Sequence, residues 1–177
     1  MEAIVLAATL LFGAPPDPYR LYSPNKSFYA KEIVQAAANS PIPPAEALAI
    51  ALTESNLNPR AYSRTKDVGL FQVNCKWWYK KFKYASIKKC EKALLDPFKN
   101  IEAGLFILAY FRKNFKQCRK ELAFRCYNGG QRWQRSKNKK KIINYARSVA
   151  RRKKNIEKYY RLYIYTYTRE VTYKWTN

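Results

Sequence analysis

The sequence predicts a mainly α-helical fold with a minor β element (α+β). Three observations carry the prediction. Apolar residues recur at helical spacing in several segments, prolines and glycines fall where those helices would start and stop, and strict two-residue alternation is confined to one stretch near the C-terminus. No internal repeat is found.

Taken in order, Ala3–Ala14 (AIVLAATLLFGA) is apolar except for Thr9. It is too short to span a bilayer and has the length of the apolar segment of a secretory signal. Glu2 stands where such signals carry a cation, and Pro15–Pro16 leave no clean small-residue cleavage site, so an ordinary buried helix is the alternative. Residues 15–27 (PPDPYRLYSPNKS) read as a linker. Tyr29, Ile33, Ala36 and Ala37 predict a helix over Phe28–Ala38. Pro41, Pro43 and Pro44 then end one helix and begin another, because proline lacks an N–H and is tolerated only in a first turn. The helix that follows, Ala45–Glu54, is almost wholly apolar and should be buried.

Asn56–Asp67 is polar and aperiodic, a loop or small irregular sheet. Asp96–Pro97 is a cap followed by a first-turn proline, and Ile101, Leu105, Leu108 and Phe115 mark one face of a long helix to about Lys116. Leu122–Tyr127 forms a short helix closed by Gly129–Gly130. Lys140 to about Tyr160 is a basic helix, and the alternation in Leu162–Trp175 reads as strand. The expected organisation is an apolar leader (1–14), a linker (15–27), one folded domain (28–150) and a basic, aromatic-rich extension (151–177).

Composition narrows the chemistry. The 177 residues carry 35 Lys and Arg against 12 Asp and Glu, a net charge of +23, so a polyanion is the expected partner: nucleic acid, an acidic membrane surface or an anionic cell wall. There is no histidine, which removes Ser/His/Asp and Cys/His catalysis and the commonest metal ligand. No metal and no cofactor is expected. Cys75, Cys90, Cys118 and Cys126 include no Cys-x-x-Cys pair. Their spacing suits two local disulfides, Cys75 with Cys90 and Cys118 with Cys126, and four buried thiols are the alternative.

One acidic residue is distinctive. Glu54 sits in the last turn of the apolar helix, where the negative end of the helix dipole and withheld water both raise a carboxyl pKa. A carboxyl that stays protonated near neutral pH can donate to a glycosidic oxygen. Position alone favours the plainer reading, that Glu54 is the first exposed residue after a buried helix.

Four segments in order change that balance: Glu54-Ser55, Gly69-Leu70-Phe71-Gln72, Asn100-Ile101 with Ala103-Gly104, and Cys126-Tyr127-Asn128-Gly129-Gly130. With these the sequence resembles the soluble lytic transglycosylase family over roughly residues 28–149, closest to the small transglycosylases of secretion systems and pili. The resemblance implies a lysozyme-like fold and cleavage of the β-1,4 bond between N-acetylmuramic acid and N-acetylglucosamine in peptidoglycan, with a 1,6-anhydro product. It implies Glu54 as sole acid and base, Ser55 bonding near the reacting sugar, and Gln72 and Asn74 lining the cleft. Tyr127 would hold the Glu54 carboxyl, and Asn128 would shape the turn. Phe71 and Cys126 depart from the family's usual Met and Ala.

The run Asp67-Val68-Gly69 to Asn74 also resembles chicken-type lysozymes, in which such an Asp is the second catalytic carboxylate. Asp67 is therefore a nucleophile in a hydrolytic muramidase, or, as favoured here, an electrostatic or loop-capping residue. Trp77, Trp78, Tyr79, Tyr84 and Trp133 are sugar-stacking or packing aromatics. The clusters Arg135–Lys141 and Arg151–Lys154 suit an electrostatic anchor to anionic envelope polymer, with nucleic acid ranked below it. A catalytically idle lysozyme-fold module binding such polymers is the rival to the enzyme. The expected setting is periplasmic, extracellular or envelope-associated, in a secretion system, pilus or phage assembly.

Overall fold

The computed structural model describes the backbone of residues 24–175 and the side chains of residues 25–158. The leader at Ala3–Ala14 lies outside the described residues. Seven α-helices are described: α1 (Pro24–Ala38), α2 (Pro44–Glu54), α3 (Cys75–Trp78), α4 (Ile87–Leu94), α5 (Pro97–Asn114), α6 (Leu122–Gly129) and α7 (Lys139–Trp175). Two short strands, β1 (Asp67–Val68) and β2 (Val73–Asn74), pair antiparallel with Asp67 opposite Asn74 and Val68 opposite Val73. The mainly helical expectation with a minor β element holds.

The largely apolar sequence of α2 makes it the central helix. Ala47 to Leu52 are each at most 2 % exposed, and α1 and α7 pack against it. Burial of Leu48 or Ile50 is worth about 1.5–3 kcal/mol each. Pro44 opens α2 without a side-chain cap, whereas α5 begins as the sequence predicts, with Asp96 accepting from the N–H groups of Phe98 and Lys99 behind Pro97. Gly130, at φ 71°, caps α6 in the left-handed region that glycine alone enters without strain. Among the described residues no helix is long and apolar enough to cross a membrane.

The cysteines form the two expected local disulfides, Cys75–Cys90 joining α3 to α4 and Cys118–Cys126 tying the 3₁₀ turn Lys116–Cys118 to α6. The first holds down a segment whose helices, α3 and α4, carry too few residues to show a period in the sequence.

Two boundaries differ from expectation. The stretch read as a linker, 15–27, is helical from Pro24 onward, with proline in the first turn where its missing N–H costs nothing. Leu162–Trp175 is not a strand; α7 continues through it. A strand there would need a neighbour to satisfy its backbone groups, and the one sheet among the described residues is the β1–β2 pair. A helix satisfies those groups internally, and alternation of Tyr and Thr does not prevent it.

Candidate active site

The segment after α2 is fastened at three points. Asn56 and Leu57 turn the chain with φ of 53° and 61°, and Leu57 is buried as an anchor. Ser55 donates its hydroxyl to the Leu70 carbonyl at 2.8 Å. Asn100, fully buried on α5, accepts from the Phe71 N–H at 2.8 Å and donates to the carbonyls of Val68 at 2.8 Å and Leu94 at 3.0 Å. Close approach makes this latch possible: a Cβ on Gly69, at φ 74°, would lie 2.4 Å from the Asn100 amide. Phe71 packs on α5 directly over Gly104, where a Cβ would meet its ring at 2.3 Å. The Asn100 and Gly104 positions singled out in the sequence therefore hold the β1–β2 loop onto α5.

That loop forms one wall of a cleft of about 940 Å³ into which Glu54 projects. Gln72, Asn74 and Asp67 line it from the loop, together with Tyr127, Asn128 and the Gly129–Gly130 turn. Trp77 and Trp78 extend the cleft outward; Trp77 is 71 % exposed, while Trp78 packs edge-on against Tyr110 and Phe111. Lys81 lies over the Tyr110 ring at 4.8 Å. Trp133 is buried and belongs to the core.

Glu54 is only partly exposed, and its carboxyl pKa rises from 4.5 to about 7. Burial is the main cause; a hydrogen bond from Tyr145 opposes it, and the negative charge of Asp67 adds to it. The Tyr145 hydroxyl donates to Glu54 Oε1 at 2.6 Å. This corrects the expectation for Tyr127, whose hydroxyl donates instead to the Phe71 carbonyl at 2.8 Å and so clamps the loop wall. Burial and the neighbouring Glu54 carboxyl push both phenols well above their ordinary range, so both remain donors.

Tyr145 was visible in the sequence only as an aromatic within the basic helix. Its signal is positional: α2 and α7 run antiparallel, and Lys153, eight residues beyond Tyr145, meets Glu46, eight residues before Glu54, at 3.2 Å. Arg112 of α5 also pairs with Glu46. The two helices are thus joined by an ionic cluster at the start of α2 and by the Tyr145–Glu54 hydrogen bond at its end.

Asp67 is held by donors on both oxygens: Ser63 at 2.6 Å and Thr65 on Oδ2, and Asn74 at 2.7 Å on Oδ1. Asn74 also donates to the Thr65 carbonyl, and the Gln72 amide donates to the carbonyls of Gly69 and Ala61. Gln72 is itself in the left-handed region at φ 46°. Ser55 does not line the cleft, since its hydroxyl is spent on the loop. Among the described residues no cluster of His, Cys, Asp and Glu could hold a metal ion.

Residues 31–148 match the family model of the transglycosylase SLT domain, a span that contains every cleft residue named above. The chain belongs to the transglycosylase SLT domain family. Among solved structures the SLT fold here is similar to the crystal structure of the 70 kDa soluble lytic transglycosylase of Escherichia coli. The TM-score is 0.59 at 23 % identity, over 79 % of this chain and 25 % of that one. The chain thus corresponds to about a quarter of that protein's length, and the likeness establishes the lysozyme-like fold. No curated protein matches the sequence.

Proposed function

We propose that this SLT domain is a peptidoglycan lytic transglycosylase in which Glu54 acts alone as acid and base. The observation that carries the reading is a partly buried carboxyl, with its pKa raised to about 7, projecting into a cleft large enough for a glycan strand.

Protonated Glu54 donates its hydrogen to the glycosidic oxygen as the C1–O bond breaks, releasing N-acetylglucosamine with a free hydroxyl. The substrate's N-acetyl oxygen stabilises the positive charge left at C1. The C6 hydroxyl of the same N-acetylmuramic acid then bonds to C1 and gives its proton to the Glu54 carboxylate. The product is the 1,6-anhydro sugar, and Glu54 regains the proton it gave. Tyr145 is a positioning residue: its hydroxyl fixes the carboxyl and stabilises the anion between the two proton transfers.

The three donors on Asp67 support a loop-capping and electrostatic role over that of a nucleophile, because hydrogen bonds draw charge from both oxygens. Gln72, Asn74, Asn128 and Trp77 supply the saccharide-facing surface. Two disulfides suit an oxidising compartment, so the protein works at the periplasmic or outer side of the envelope. The basic clusters Arg135–Lys141 and Arg151–Lys154 hold it to anionic wall polymer.

The test is clearing of purified peptidoglycan by the wild-type protein and by Glu54→Gln. Loss of activity by about a hundredfold or more is expected. Equal clearing, or none by either form, would reject the enzyme in favour of a binding module.

A further inference from the structure

A second groove, of about 990 Å³, lies beside the first turn of α2, where Glu46 rather than Glu54 lines it. Eight residues along α2 separate the two carboxyls, about 12 Å of helix. Leu122, Ile143, Ala146 and Ala150 give the groove an apolar floor. Leu122 is 39 % exposed there, at the first turn of α6. Arg119, Lys120 and Arg147 stand on its rim. Six Lys and Arg against two Glu line it, a surplus of four positive charges. Arg112 and Lys153 are committed to Glu46, while among the described residues Arg119, Lys120 and Arg147 have no carboxylate partner.

We propose that this groove docks an acidic, amphipathic segment of a partner protein. The apolar floor requires apolar side chains to cover it, which a phosphate backbone or an acidic polysaccharide does not provide. Its concavity does not fit the plane of a bilayer. The rim supplies the complement to Asp and Glu on the flanks of such a segment. The groove and the cleft share no lining residue, so a segment docked here leaves the Glu54 cleft open.

The probe is a synthetic fluorescein-labelled helical peptide with leucines on one face and glutamates on the others, titrated by anisotropy at physiological salt. The double variant Arg119→Glu with Arg147→Glu is expected to weaken binding about tenfold or more. Lys88→Glu with Lys89→Glu, the same charge change on exposed residues of α4, should leave it within about twofold. Replacing the peptide's leucines by serine should also cost about tenfold. Hydrogen exchange on the wild-type protein should show peptide-induced protection in residues 119–125 and 143–150. Equal loss in the two double variants, undiminished binding of the serine peptide, or protection elsewhere would overturn the proposal. So would tighter binding of polyphosphate or phosphatidylglycerol vesicles through Arg119 and Arg147, which would assign the groove to phosphate.

Discussion

Glu54→Gln should change how stability depends on pH, and the size of the change follows from the site. The folded protein binds the Glu54 proton with a pKa of about 7, against 4.5 for an unperturbed glutamate. A carboxyl whose pKa is raised by folding contributes its full stability below pH 4.5. That contribution is lost as pH rises toward 7, because the unfolded chain ionises freely while the folded one resists. At about 1.36 kcal/mol per pH unit, the span from 4.5 to about 7 corresponds to about 3 kcal/mol of stability present at pH 4 and absent by pH 8. A glutamine side chain does not titrate, so the variant should lack this loss. Urea unfolding of both proteins at several pH values between 4 and 8 gives the double difference, in which any pH-independent cost of the substitution cancels. The wild type should lose about 3 kcal/mol more than the variant across that range. Parallel stability curves would mean that Glu54 ionises as it does in water, and the reasoning from burial to proton donation would fail.

Tyr145→Phe removes the hydrogen bond that lowers the Glu54 pKa, so kcat should fall about tenfold or more while the alkaline limb of the pH–rate profile moves upward; a limb that stays in place would show that Tyr145 does not act through Glu54. Gly104→Ala drives a methyl group into the Phe71 ring and should cost about 1–3 kcal/mol in urea unfolding, with Phe71→Met, a more pliable side chain, recovering part of the loss. Glu46→Ala leaves Arg112 and Lys153 without the carboxylate they share and should destabilise by about 3 kcal/mol, measured by the same method; an unchanged midpoint would show that the ionic cluster contributes nothing net.

The helices most legible in the sequence were those whose start and stop are chemically marked. Asp96–Pro97 and Gly129–Gly130 are local signals, and the ends of α5 and α6 follow from them. The apolar run of α2 announced a buried helix with Glu54 at its end, which is why the raised pKa could be expected from position and burial. The partner of Glu54 was not legible in the same way. Tyr127 and Tyr145 are both aromatic residues of the matched family span, and which hydroxyl reaches Oε1 is set by the register of α7 on α2, a contact across 91 residues. Ser55 follows the same rule, because its neighbour in sequence is the acid but its hydrogen bond goes to Leu70. The strand expected over 162–175 failed because alternation describes which faces a segment could offer, while a strand also needs another strand beside it.

The origin of the new C1–O bond tests the central claim most directly. Purified peptidoglycan digested in water enriched in ¹⁸O, then analysed by mass spectrometry, should yield muropeptides with 1,6-anhydro ends that carry no solvent oxygen, and Asp67→Asn should give the same product. Reducing ends labelled with ¹⁸O, abolished by Asp67→Asn, would contradict the account and make the protein a hydrolase with two catalytic carboxylates.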